Sequence, residues 1–70
     1  MMTKTEYFEL FEELFEVQMC IFGIIDARTI LADDNLMKLF ENALSANLGY
    51  PCSENEFYLE WKREMLAAIA

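Results

Sequence analysis

Along the first third of the chain, apolar and acidic residues recur with the period of an α-helix. At about 100° per residue, one half of a helix beginning near Thr3 is mostly apolar and the other half is acidic. The apolar half comprises Tyr7, Phe8, Leu10, Phe11, Leu14, Phe15, Val17 and Gln18, and the acidic half comprises Glu6, Glu9, Glu12, Glu13 and Glu16. Thr3 and Glu6 also have the spacing of an N-terminal capping box. Since alternation with a period of two is absent, the pattern predicts a helix and not a strand.

The pattern changes after Glu16, where residues 17–25 are apolar on nearly every side of the same helix. A helix that is apolar all round is buried all round, and a chain this short has little left to surround it. We therefore expect a second copy to cover this segment. The predicted homodimer interface consists of Val17, Cys20, Ile21, Ile24 and Ile25. Cys20 is expected to be a small buried hydrophobe, and Gly23 to lie within the helix, at a kink or a close approach.

A second helix is predicted after a break that spans residues 26–35. Asp33 or Asp34 is suited to be its N-cap, because either carboxylate accepts hydrogen bonds from the first free backbone amides. Its apolar face comprises Leu36, Met37, Leu39, Phe40, Ala43, Leu44 and Leu48. Gly49 has the position of a C-terminal helix cap, and Pro51 follows it.

A third helix is predicted to begin at a capping box formed by Ser53 and Glu56, with Cys52 and Phe57 at the flanking staple positions. Its apolar face comprises Phe57, Tyr58, Trp61, Met65, Ala68 and Ile69. The predicted fold class is therefore all-α: residues 1–70 form a single small domain of three helices, which dimerises through the first helix.

The net charge of the chain limits the classes of partner that it can bind. Thirteen acidic residues against five basic ones give a formal net charge of −8, so phosphates of nucleic acids and anionic membrane surfaces would repel the chain. No apolar run approaches the ~20 residues that span a bilayer, and the N-terminus lacks the pattern of a signal peptide. We therefore expect a cytoplasmic protein with both cysteines reduced, and neither nucleic acid nor membrane as a partner.

Hydrophobic composition excludes a disordered acidic tail, since 56% of the residues are apolar. This share exceeds the ~45–50% of average globular proteins, and the excess belongs in a core, a subunit interface or a partner contact. Enzymatic chemistry has little support. The chain has no histidine and no C-x-x-C pair, and its two glycines do not form a phosphate-binding loop. We expect no catalytic residues, no metal and no cofactor.

The glutamates of the first helix are the clearest candidate binding residues. Glu9, Glu12, Glu13 and Glu16 include like-charge pairs four residues apart, each of which costs roughly 0.2–0.5 kcal/mol in an isolated helix. A basic partner surface would relieve that repulsion, whereas the alternative is a solvated face that keeps an apolar chain soluble. Tyr50, Tyr58 and Trp61 are further candidates, because their polar tips favour the edge of an interface.

These features predict a small acidic module that binds a larger protein with a basic or apolar surface and inhibits or modulates it. A regulator, a nuclease or an ATPase would each fit as that partner, and a phage or mobile-element origin would suit the small size. Two alternatives to this function stay open. The first is a toxin-neutralising immunity or antitoxin protein, and the second is a structural subunit whose fold is completed only within a larger complex.

Overall fold

The computed structural model describes residues 1–69, and its regular structure is helical throughout that range. The helices are α1 (Lys4–Phe22), α2 (Ala27–Leu31), α3 (Asp34–Leu48) and α4 (Glu56–Ala68), with a short 3₁₀ turn at Cys52–Glu54 before α4. No strand occurs among these residues, so the predicted all-α class is confirmed. Within the same range, no helix has both the length and the apolarity needed to cross a membrane.

Helix α1 begins as predicted and ends earlier than predicted. The Glu6 amide donates to Thr3 Oγ1 at 3.2 Å, and the Thr3 amide donates to Glu6 Oε1 at 3.0 Å, which completes the capping box. Gly23 does not lie inside the helix, as expected from the sequence, but ends it with a φ of 64°. Glycine adopts this left-handed conformation without steric cost, so Ile24 and Ile25 lie beyond the helix end.

A short helix, α2, occupies the region that the sequence pattern indicates only as a break. Asp26 caps it, because the carboxylate Oδ1 accepts from the Arg28 amide at 3.0 Å. Its single turn buries Ile30 and Leu31 in the core. This segment therefore contributes apolar side chains to the bundle and does not serve only as a connection.

Capping confirms the predicted start of α3 and corrects that of α4. Asp33 Oδ1 accepts from the amides of the next turn, and α3 ends at Gly49 with a φ of 85°. The N-cap of α4 is Asn55 and not Ser53, since Asn55 Oδ1 accepts from the Phe57 and Tyr58 amides at 2.9 and 3.0 Å. Ser53 instead lies within the 3₁₀ turn, so α4 begins two residues later than the capping-box pattern indicates.

Aromatic contacts define the directions of the long helices. Tyr7 lies against Phe57 with ring centroids 5.5 Å apart, and Phe15 lies against Trp61 at 5.8 Å, so α1 and α4 run parallel. Phe15 also contacts Phe40 at 5.2 Å, whereas Tyr50, just after the end of α3, lines the same small hollow as Tyr7, so α3 runs antiparallel to α1. The C-terminal ends of α1 and α4 are consequently at the same end of the bundle.

Candidate functional site

The predicted acidic face of α1 is open to solvent. Glu9, Glu12, Glu13 and Glu16, which we call the acidic row, are all exposed. Within residues 1–69, the ion pairs join Lys4 to Glu60, Arg28 to Asp26 and Lys62 to Glu41, with N–O distances of 2.8, 2.8 and 2.9 Å. None of these pairs involves the acidic row. Its four carboxylates thus have no basic partner in the described part of the chain.

The C-terminal part of α1 exposes apolar side chains that the sequence predicts to be covered. Val17 and Ile21 are 52% and 68% exposed, because they lie on the side of α1 that faces away from α3 and α4. Ile25, which lies beyond the end of α1, is 98% exposed. Ile24 is half-buried against the core. Cys20 is exposed in the single chain, so its expected burial depends on the second copy. We call the exposed set the apolar patch; its members are Val17, Cys20, Ile21, Phe22 and Ile25.

Two of the three aromatic residues assigned to partner contact lie inside the protein. Tyr58 and Trp61 are 1% and 2% exposed, which corrects the expectation that they lie at a surface. The Tyr58 hydroxyl donates to Glu41 Oε2 at 2.6 Å, so its polar tip finds an acceptor within the fold and needs no water. Burial and this hydrogen bond to a carboxylate raise the pKa of Tyr58 far above its ordinary value. Both side chains therefore pack in the core of the protein.

Tyr50 remains partly exposed, but it lies at the other end of α1 from the apolar patch. Its hydroxyl accepts from Asn55 Nδ2 at 2.9 Å, and its ring lines a shallow hollow with Tyr7 and Phe57. The hollow has a volume of about 340 Å³. The structure therefore does not bring Tyr50 and the predicted dimer residues together into one site.

Two depressions border the acidic row, one on each side. An outer groove of about 620 Å³ lies between α1 and the end of α3, and a smaller cleft of about 230 Å³ lies between α1 and α4. Glu13 lines the groove, Glu12 lines the cleft and Glu16 lines both. The groove is otherwise lined by Leu10, Leu14, Val17, Cys20 and Asn47, and the cleft by Phe15, Met19, Ala27, Trp61 and Met65. The acidic row is thus bordered by apolar surface on both sides.

The sequence pattern does not predict the cleft, although the two methionines that line it are visible in the sequence. Met19 and Met65 are both half-buried. Met65 lies on the predicted apolar face of the last helix, and Met19 lies in the segment that is apolar on nearly every side. Apolar positions of this kind predict burial in a core. Only the relative placement of the two helices shows that these side chains line a cleft. The direction of α4 along α1 is what leaves the space between these two side chains.

Metal ligands and cysteine thiols do not come together into a cluster in the described part of the chain. Residues 1–69 contain no group of three or more His, Cys, Asp and Glu placed to hold a metal ion. Cys52 is buried and its thiol lies 3.7 Å from the Glu41 carbonyl oxygen, to which it donates. What the surface does offer is carboxylates beside apolar depressions, an arrangement suited to docking.

Comparisons of the chain with protein-family models, with curated proteins and with solved structures find no significant match. No relative therefore indicates a partner or an activity.

Proposed function

We propose that this chain is a small acidic protein-interaction module that binds a larger protein with a basic or apolar surface and inhibits or modulates it. The observation that carries the proposal is the acidic row, which is exposed and lacks basic partners within residues 1–69. Repulsion between Glu9 and Glu13, and between Glu12 and Glu16, would be relieved by a cationic surface. Complementary charge of this kind accelerates association and selects among partners.

The proposal includes self-association through α1. A second copy would cover Val17, Cys20, Ile21, Ile24 and Ile25, of which all but Ile24 are exposed in the single chain. The acidic row precedes these residues along the chain, so a larger partner and a second copy can use successive parts of α1 and of the residues that directly follow it. The cytoplasm is the compartment that we propose, because a reducing environment keeps the exposed Cys20 thiol free.

The surface of a larger partner is the alternative to a second copy as the cover for the apolar patch.

The buried core favours a module that folds alone over a subunit that folds only in a complex. Among the described residues, ten buried apolar side chains form one continuous core within a single chain. An autonomous core supports a cooperative unfolding transition of the isolated protein.

Neutralising the acidic row tests the docking part of this proposal. The partner is first captured from producing cells, and its association with the purified chain is then followed at several salt concentrations. With Glu9, Glu12, Glu13 and Glu16 all changed to Gln, we expect association to slow by roughly tenfold or more at low salt and to lose most of its salt dependence.

The matched control removes the same number of charges from other exposed positions. Asp34→Asn with Glu54→Gln, Glu56→Gln and Glu64→Gln changes the net charge equally and leaves α1 unaltered. This control should associate within about threefold of the unmodified chain, because local complementarity outweighs net charge at an interface. Equal rates for both variants would mean that the acidic row does not contact the partner.

A further inference from the structure

The cleft between α1 and α4 has an apolar floor and an acidic edge. Phe15 and Trp61 are buried in the floor, and Met19 and Met65 are half-buried beside them. Unbranched thioether side chains adapt readily to the shape of a bound group. The volume of about 230 Å³ falls below the ~300–1,000 Å³ of pockets that hold whole small molecules, so the cleft is sized for one or two side chains of a protein.

The indole of Trp61 supplies a polar group that needs a partner. Its Nε1 atom is sealed from solvent and has no hydrogen-bond acceptor among residues 1–69. More than nine in ten buried polar groups in proteins have such a partner, and leaving one without costs free energy that an incoming acceptor recovers. Trp61 lines the cleft, so a segment that binds there and displaces the side chains covering the indole nitrogen can bring an oxygen atom to this donor.

Charge defines the remaining part of the cleft. Glu12 and Glu16 line it, are exposed, and take part in none of the ion pairs of the described residues. They are four residues apart and therefore lie on the same face of α1. A cation placed beside the cleft would interact with both carboxylates.

We propose that the cleft is the anchor site for a short extended segment of the partner, with one apolar side chain next to a lysine or arginine. The apolar side chain lies between Met19 and Met65, and the adjacent cation pairs with Glu12 and Glu16. Once the side chains that cover the indole nitrogen have moved aside, a backbone carbonyl of the segment accepts from Trp61 Nε1. An extended segment is required, because carbonyl groups inside a helix are already bonded. The proposal rests on the proposed function and specifies the chemistry of the partner.

The single tryptophan of the chain provides a direct test by nuclear magnetic resonance, since it contributes one indole N–H signal. The probe is the capped peptide Gly-Lys-Leu-Lys-Gly at millimolar concentration. We expect it to shift the Trp61 indole signal and the methyl signals of Met19 and Met65. Control peptides with glycine in place of leucine, or glutamate in place of both lysines, should leave these signals unchanged.

A pair of variants on α1 separates the cleft from the rest of the acidic row. Glu12→Gln with Glu16→Gln should weaken binding of the lysine peptide by about 3- to 10-fold at low salt, as expected for the loss of two exposed ion pairs. Glu9→Gln with Glu13→Gln removes the same charge from residues that do not line the cleft, and should change binding by less than about twofold.

The anchor site is ruled out if the lysine–leucine peptide leaves the indole and methyl signals in place, or if all three peptides shift them equally. If the peptide does not shift these signals but association with the captured partner still depends on the acidic row, the anchor site is overturned and the proposed function is not. Shifted signals with partner association that ignores the acidic row would support the site and count against the proposed docking mode.

Discussion

The aromatic core and the apolar patch are built from similarly hydrophobic residues in opposite surroundings. The aromatic core is the aromatic part of the buried cluster, with neighbouring ring centroids 5.2–6.3 Å apart; its members are Phe11, Phe15, Phe40, Tyr58 and Trp61. Val17 and Ile21 of the patch are mostly exposed on the same helix that contributes Phe11 and Phe15. The difference shows that a small bundle closes over one face of each helix, and that further apolar residues remain for other contacts.

Substitutions in the two regions should differ most in the stability of the monomer. Phe40 is fully buried, so Phe40→Ala is expected to lower the free energy of unfolding by about 3–5 kcal/mol, a large part of the stability of a chain this small. Ile21→Ala should change the free energy of unfolding by less than about 0.5 kcal/mol, since the Ile21 side chain is mostly exposed and buries little surface in a single chain. Urea unfolding followed by circular dichroism, at protein concentrations too low for self-association, measures both values.

Leu39, an exposed leucine of α3, supplies the control for that pair. Leu39→Ala should resemble Ile21→Ala under the same conditions. If Ile21→Ala proved as damaging as Phe40→Ala in the monomer, the patch would be packed inside the chain and the contrast between the two regions would disappear.

A smaller effect is expected at the start of α4, which carries Tyr58 and Trp61 into the core. Asn55→Ala should destabilise the protein by about 0.5–2 kcal/mol, because the first amides of α4 lose their acceptor. Ser53→Ala should stay within about 0.5 kcal/mol, because the hydroxyl of Ser53 does not cap this helix. Thermal or urea unfolding of the two variants compares the positions directly, and the reverse order would place the cap at Ser53.

Local signals explain which parts of the fold could be predicted. The capping box of Thr3 and Glu6, the Asp33 cap and the Gly49 stop each depend on neighbours within a few residues, and all three are confirmed. Ser53 and Asn55 offer competing caps two residues apart, and the sequence pattern does not rank them. Gly23 was similarly ambiguous, because a glycine in an apolar run is compatible with a helix interior as well as a helix end.

Features that depend on tertiary contacts could not be read from the pattern. Tyr58 has the composition of an interface residue, but its hydroxyl is satisfied by Glu41, seventeen positions away in the chain. Only the packing of α4 against α1 and α3 decides that this side chain turns inward. The cleft has the same origin, since the space between Met19 and Met65 depends on where α4 lies along α1. The acidic row was predictable because it needs only the helical period and solvent.

The most direct test of the account asks whether a second copy covers the apolar patch. Light scattering of the purified chain at micromolar concentration should give twice the chain mass of 8.2 kDa. Val17→Asp with Ile21→Asp should reduce the mass to that of one chain, whereas Leu39→Asp with Leu59→Asp, at exposed positions of α3 and α4, should leave the dimer intact. An unmodified chain that is monomeric at these concentrations, or a dimer that survives the α1 substitutions, would contradict it.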